Sequence, residues 1–428
     1  MPISVRTPGG IFSGGHGDEG CVPTERTLQA SAPARHARRL GFALVGYAFL
    51  VTMLGTTLPT PLYSIYQRQL GFSPLVVTVI FAVYAVAVVA TLLLAGRLSD
   101  EIGRRPVLVA AMLFSAASAV CFLLTHGLTL VLVGRAFSGI SAGLFTGSGT
   151  AALLDLTEES GRARATAIGV GVNLGGLAAG TMLAGLLAEW APDPLRLPYV
   201  IDLGLAAAGV VALLAVPETV PDRSRLRLRF ERLGIAPEVR SVFLPAVLAG
   251  GAGFAVIGVL TAVSSIFLAT ALGLTSHALA GFVVFLAMGS VAAGQLAVRR
   301  IRETPALIVG AAALVASAVL LGVALGATLL APLLAGALLV GIGTGLSVGA
   351  GLAAINNRAP VARRGETAST FFAVIYAALA LPAIGVGIAG RLLGLRDAGV
   401  AFSIAVALVA AGVLVLLLVR PTGAEPVS

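Results

Sequence analysis

The residues in this chain with chemistry to offer are few, and most stand inside long apolar runs. Arg135 lies in the apolar run 128–152. Its guanidinium keeps its charge at any ordinary pH, so it can contact an anion or modulate nearby groups but cannot carry a proton. A short polar stretch, Gly96-Arg-Leu-Ser-Asp100-Glu-Ile-Gly103-Arg104-Arg105-Pro106, places an acid beside two bases between glycines. Asp100 can pair with an arginine or cap a helix N-terminus there. Asp155 and Arg162 face each other across a second short turn. Tyr47, Asn173 and Tyr376 are polar side chains within apolar runs, and with Arg135 they are the candidates for substrate contact or ion coupling. The acids sit toward the run ends: Glu189, Asp202 and Asp397 at one side, Asp155, Glu303 and Glu366 at the other.

Some chemistries are excluded. All 28 basic residues are arginine, so the lysine of a Walker A phosphate loop does not exist here. Energy must then come from an ion gradient, a substrate gradient or another subunit. Cys21 and Cys121 read as two free thiols, and His16, His36, His126 and His277 show no ligand spacing. No metal and no cofactor is expected. A membrane-embedded enzyme would need clustered His, Asp or Cys within the runs, and the sequence has no such cluster.

The elements that must position these residues are membrane helices. The chain has 428 residues, 58% hydrophobic and 11% charged, with mean hydropathy +1.01. That is too little charge to cover a soluble protein of this size. Apolar runs at 40–62, 74–95, 107–125, 128–152, 165–189, 198–216, 241–271, 276–298, 305–326, 329–354, 367–390 and 397–419 are each long enough to cross a bilayer. They do not alternate as barrel strands do, and a helix satisfies its own backbone in lipid. The expected fold is an all-α membrane protein of twelve spans. Residues 1–39 read as a disordered cytoplasmic tail, 40–216 as one six-helix bundle, 217–240 as a cytoplasmic linker, 241–420 as a second bundle and 421–428 as a tail. In the linker, Leu226, Phe230 and Leu233 share one helical face and Arg225, Arg229 and Arg232 another, which suits a membrane-surface helix.

With both termini in the cytoplasm, 23 of the 28 arginines fall on the inner side and four on the outer. This asymmetry fits the positive-inside rule with both termini cytoplasmic, and the all-arginine bias, which suggests a GC-rich coding genome, leads to the expectation of a bacterial plasma membrane. The net charge of +9 is thereby explained as orientation and lipid contact, and no nucleic-acid partner is expected.

The chain repeats itself. At an offset of 202, Gly139, Ile140, Gly143, Leu144, Gly147, Gly149, Ala151, Ala152 and Arg162 recur from Gly341 onward, and Asp155 faces Asn357. Duplication of a unit with an even number of spans gives parallel repeats, which can rock about a central site.

These features together resemble the major facilitator superfamily, over about residues 40–420. Gly96 to Pro106 is similar to its loop motif between helices 2 and 3, and Gly134 to Gly143 to its helix 4 motif with an intramembrane arginine. Asp155 with Arg162 resembles the acid–base motif after helix 4. The second half carries a weaker copy of the loop, with Val298 where Asp100 stands, so an asymmetric latch is expected. The resemblance implies two six-helix bundles around a central cavity. It also implies a latch built from Gly96, Asp100, Gly103, Arg104, Arg105, Asp155 and Arg162. The run Gly171-Val-Asn173-Leu-Gly175-Gly176 through Gly180 resembles the helix 5 motif of drug:proton antiporters, with Gly176 in place of that motif's proline.

Gly139, Gly143, Gly171, Gly175, Gly176 and Gly180 are expected to pack helices closely. The implied function is proton-linked efflux of a small amphiphilic molecule by a monomer among membrane lipids. An uptake symporter or facilitator, and a non-transporting scaffold or sensor, are the alternatives.

Overall fold

The computed structural model describes residues 32–95, 98–220 and 233–419. Gly96 and the amphipathic part of the linker lie outside the described residues. Every regular element among those described is helical. The first half comprises α1 (Ala32–Thr57), α2 (Pro59–Leu70), α3 (Pro74–Ala95), α4 (Leu98–Ile102), α5 (Arg104–Leu123), α6 (Leu128–Asp155), α7 (Arg162–Trp190) and α8 (Leu197–Leu214). The second comprises α9 (Arg240–Ala271), α10 (His277–Ala297), α11 (Glu303–Ala327), α12 (Leu330–Arg358), α13 (Val361–Leu393) and α14 (Leu395–Val419). Among the described residues, twelve helical stretches are long and apolar enough to cross a membrane.

The first span differs from the sequence expectation at both ends. Helix already runs from Ala32, so Arg38 and Arg39 sit on its opening turns rather than in an irregular leader. At the other end the span breaks at Leu58 and continues as α2 to Leu70. Pro59 and Pro61 cause the break. Neither supplies a backbone N–H, and a proline at the first helical position starts a new helix well. α2 therefore extends the span over the outer part of the bundle, and most of its residues are buried.

The halves are two six-helix bundles repeated in parallel. In the first, α6 packs on α3 and α5, and α1 on α7 and α8; in the second, α12 packs on α10 and α11. The repeat extends to single contacts. A side chain at Gly139 would strike the Tyr84 carbonyl of α3, and one at Gly341 the Ala287 carbonyl of α10. Ser118 Oγ donates to Gly134 O at 2.8 Å, and Ser317 Oγ to Gly336 O at 2.8 Å. Large apolar side chains such as Val86, Leu113, Val211, Leu381 and Leu408 point outward, as a lipid-facing surface requires. The halves meet mainly along α7 with α10 and α3 with α13.

Candidate functional site

The face where α1 begins and α14 ends is the arginine-rich one, and each half ties its helices together there. In the first half Arg104 opens α5. Its Nε donates to Asp155 Oδ2 at 3.1 Å, its Nη1 donates to Ser99 Oγ at 2.7 Å, and the same side chain pairs with Asp100. Thr219 Oγ1 donates to the same Asp155 oxygen at 3.2 Å. Gly103 precedes Arg104 with φ of 110°, a conformation that favours glycine. A side chain there would also strike Glu218. That carboxylate instead caps α5, accepting from the backbone N–H of Arg104 at 2.9 Å and of Arg105 at 3.2 Å. Negative charge is stabilised at a helix N-terminus.

Two sequence expectations are corrected here. Asp155 pairs with Arg104, not with Arg162. Arg162 stands exposed at the start of α7, beyond a 3-10 turn over Glu159–Gly161. The close packing of α5 on α6 brings Arg104 to the end of α6 instead. The second half also has a clasp, although Val298 replaces the acid of its loop. Arg358 Nη2 donates to Glu303 Oε2 at 2.6 Å and Asn357 Nδ2 to Glu303 Oε1 at 3.2 Å. The polarity is reversed: the acid opens α11 and the base ends α12. The sequence places Glu303 only at a run end and gives Glu218 no role, because neither lies in a motif; Glu303 opens α11, and Glu218 meets the start of α5.

Arg135 is buried at 1% exposure. Nη1 donates to Thr56 O at 2.6 Å, and the guanidinium lies 4.4 Å from the centroid of the Tyr84 ring. A desolvated cation over a ring is worth about 2 kcal/mol. The contact with Thr56 is available where α1 approaches its break at Leu58. Tyr66 Oη donates to Tyr199 Oη at 3.2 Å, and Tyr199 stacks on Phe122 at 4.9 Å, so aromatic rings roof this end of the bundle. Asp202 stands near the outer end of its run, as expected, yet it is buried. It is 2% exposed, lies against Gly55 of α1, and its Oδ1 has no hydrogen-bond partner.

Tyr47 and Asn173 are half-buried, and Tyr47 Oη donates to Leu205 O at 3.1 Å, which ties it to α8. Tyr376 packs against the cores of both halves and meets Phe254 edge-on. The structure thus brings Arg135 and Tyr84 together, and sets Tyr376 at the seam between the halves. Tyr47 belongs to the interior packing of the first half.

The seam is closed at the face opposite the arginines. Glu189 Oε2, at the end of α7, accepts from the backbone N–H of His277 at 2.7 Å and from Ser276 Oγ at 3.2 Å, capping α10. Gly185 lies against Gly281, and Thr78 against Gly387. Arg391 Nη2 donates to Ser73 Oγ at 2.6 Å. At the arginine-rich face a cavity of about 1060 Å³ lies beside the second-half clasp, lined by Gln295, Arg299, Glu303, Asn356 and Arg358 among others, with Thr166 and Val170 of α7 as its wall from the first half.

The glycines divide accordingly. Gly139 and Gly143 seat α6 on α3, and Gly176 and Gly180 seat α7 on α1, as expected. Gly171 and Gly175 are corrected: a side chain at either would meet open space. They lie on the helix face of Ala178, which approaches Gly289 of α10, but at the end where α7 and α10 have diverged.

Comparison with known proteins agrees with this architecture. Residues 45–381 match the family model described as Major Facilitator Superfamily. The chain belongs to this superfamily of transporters. The inner membrane transport protein YajR of Escherichia coli is 31% identical over 132 residues, which cover 31% of this chain and 28% of that protein. The multidrug resistance protein MdtL of Klebsiella pneumoniae is 36% identical over 98 residues, 23% of this chain and 25% of that protein. The chain thus spans about a quarter of the length of these two relatives. The crystal structure of the human organic anion transporter MFSD10 matches 88% of this chain and 99% of its own, with a TM-score of 0.61 and 18% identity. At that identity the likeness speaks for the major facilitator fold.

Proposed function

We propose that this transporter exports a small amphiphilic organic molecule in exchange for protons. It works as a monomer in the plasma membrane with both termini in the cytoplasm. The observation that carries the reading is the uneven seam: sealed at one face, with a large cavity between α7 and the α10–α12 ends at the arginine-rich face. The positive-inside rule makes that face cytoplasmic, so this form loads cargo from the cell. Rocking of the two halves then closes the cavity and opens the sealed end. The aromatic groups Phe81, Tyr84, Phe254 and Tyr376 along the seam suit an apolar or amphiphilic solute better than a sugar, which needs many converging hydrogen bonds. Relatives named as multidrug resistance proteins support the outward direction.

The test is transport in inside-out vesicles with lipophilic cations and organic anions as trial cargoes. Acidifying the vesicle lumen should drive uptake of at least one cargo, and collapsing the pH gradient should stop it. Accumulation of cargo in intact energised cells would instead identify an uptake symporter.

A further inference from the structure

The two halves differ in what their clasps leave over. In the first half Arg104 is held by two carboxylates, Asp100 and Asp155. In the second, Gly294-Gln295-Leu296 matches Gly96-Arg97-Leu98, which puts Val298 where Asp100 stands and Arg302 where Arg104 stands. The longer repeat puts Asn357 where Asp155 stands. Both positions that supply a carboxylate to Arg104 are thus neutral in the second half. Helix placement agrees with the match, since Arg104 is the first residue of α5 and Arg302 immediately precedes α11. The second clasp is made instead by Glu303, whose two oxygens are taken by Arg358 and Asn357. Among the described residues neither Arg302 nor Arg299, on the turn before it, forms an ion pair.

Both arginines line the cavity of about 1060 Å³ at this face. Among the described residues its charged lining is Arg299, Arg302 and Arg358 against the one carboxylate of Glu303, already committed to the clasp. An exposed arginine on the cytoplasmic side is ordinary under the positive-inside rule. Arg300 is of that kind: it is exposed, shares a 3-10 turn with Arg299, and does not line the cavity. Arg299 and Arg302 instead stand in a cleft walled by protein, and a cleft lined by one sign of charge concentrates the other. Much of the remaining wall is apolar, with Val170 of α7, Leu296 and Leu352 in it.

We propose that the cargo is an amphiphilic organic anion, and that Arg299 and Arg302 receive its acidic group while the apolar wall takes its body. The proposal deepens the efflux reading above and rests on it. A guanidinium presents a fixed fork of N–H donors that matches a carboxylate, sulfonate or phosphate. The cargo thereby supplies to Arg302 what Asp100 and Asp155 supply to Arg104. Two unpaired cations also disfavour a lipophilic cation of the same shape. An anion leaving while a proton enters moves positive charge inward on both counts, so an inside-negative potential drives the export together with the pH gradient.

The experiment uses the full-length protein in phosphatidylcholine nanodiscs, with empty discs as the blank. Equilibrium dialysis measures three probes that share one apolar body: 1-naphthoate, 1-naphthalenesulfonate and 1-naphthylmethylammonium. Both anions should bind about tenfold or more tighter than the ammonium. Arg299→Gln and Arg302→Gln should each weaken the anions about fivefold or more and narrow the gap to the ammonium. Arg300→Gln makes the same change of charge outside the cavity and should leave all three affinities unchanged. Melting temperatures confirm that each variant is folded. Anions that do not bind, or bind no better than the ammonium, overturn the proposal. So does an equal weakening by Arg300→Gln, which would reduce the effect to general surface charge. Discs containing phosphatidylglycerol separate cargo from a lipid head group. Anion affinity kept in those discs supports the cargo site. A loss of about tenfold in the parent that is absent in Arg302→Gln assigns the arginines to lipid and overturns it. Failure of the efflux reading shows separately, in inside-out vesicles. Anions that bind as expected but are not driven by a proton gradient overturn proton exchange and leave the site standing. Proton-driven uptake of the ammonium and not of the anions overturns the site and leaves proton exchange standing.

Discussion

Gly175 and Gly176 are neighbours on α7, yet alanine should act on them with opposite sign. At Gly176 a Cβ would stand 2.6 Å from Leu50 O and 2.7 Å from Met53 Cβ of α1. Ordinary contact begins near 3.4 Å, so α1 would have to retreat by about 0.8 Å. The obstructing oxygen is backbone and cannot turn aside. Overpacking of this kind costs about 1–3 kcal/mol, against a gain of about 0.5–1 kcal/mol from replacing glycine within a helix. The retreat would also strain the Thr57 Oγ1 bond to Leu177 O, 2.7 Å long. At Gly175 a Cβ meets nothing within 4 Å, so only the helix gain remains. Gly176→Ala should therefore lower the melting temperature in detergent by up to about 5 °C, at about 2 °C per kcal/mol for a chain of this size. Gly175→Ala should leave it unchanged or raise it by about 1–2 °C. Static light scattering on the same samples checks that both remain folded before heating. Equal shifts at the two positions, or the opposite order, would refute the placement of α7 against α1.

Three further outcomes follow from the same geometry. Gly175→Leu should fold and bind cargo, but its side chain blocks approach of α7 to α10; transport should fall about tenfold or more while stability stays within about 0.5 kcal/mol. Exchanging the clasp charges, Arg104→Asp with Asp155→Arg, should recover most of the transport lost in either single variant, because the second half works with that polarity. The stability change in each single variant should stay near 1 kcal/mol or below, as the pair is partly exposed, and a double-mutant cycle measures it. Arg135→Lys keeps the charge but loses the planar stacking on Tyr84, so transport should drop nearly as far as in Arg135→Ala; full activity in both would remove Arg135 from the mechanism.

Much of this was legible in the chain because lipid leaves few options. A run of about 20 apolar residues has to be a helix, and the recurrence at an offset of 202 leads directly to two like halves. What the sequence did not disclose was register and depth. Gly171 and Gly175 form one stripe on α7, and Gly176 and Gly180 another, rotated by about 100°. Spacing alone makes both look like packing faces, and only the position of α1 separates them. The burial of Asp202 was hidden for a similar reason. Its distance from the start of its own helix puts it near the outer side. The Pro59 break, however, lets α2 extend some 18 Å over that side by helical rise, and Tyr63, Tyr66 and Tyr199 are buried there. Burial of that acid is a property of three segments, none of which shows it alone. The pairing of Arg104 with Asp155 likewise depends on which two helix ends meet, not on distance along the chain.

The two halves agree where a side chain has no alternative and differ where it has one. Gly143 lies against Thr91 of α3, and Gly345 against Gln295 of α10. In both places a Cβ would strike atoms of the neighbouring helix, so the crossing tolerates little but glycine. The clasps are under no such constraint. Arg104 with Asp155 and Glu303 with Arg358 join the same pair of helix ends with the charges exchanged. An exposed ion pair contributes up to about 1 kcal/mol, and its Coulomb energy is unchanged when the signs are swapped. The helix ends do distinguish the two arrangements. An acid at the start of α11 and a base at the end of α12 both favour the helix dipoles, whereas Arg104 and Asp155 stand at the unfavourable ends. Glu218 offsets this in the first half by capping α5 at the backbone N–H groups of Arg104 and Arg105. The first-half clasp thus needs a third carboxylate from the segment after α8, and the second-half clasp does not. Glu218→Gln should accordingly loosen the start of α5 and leave α11 unchanged, a difference that hydrogen exchange at the two helix starts would read directly.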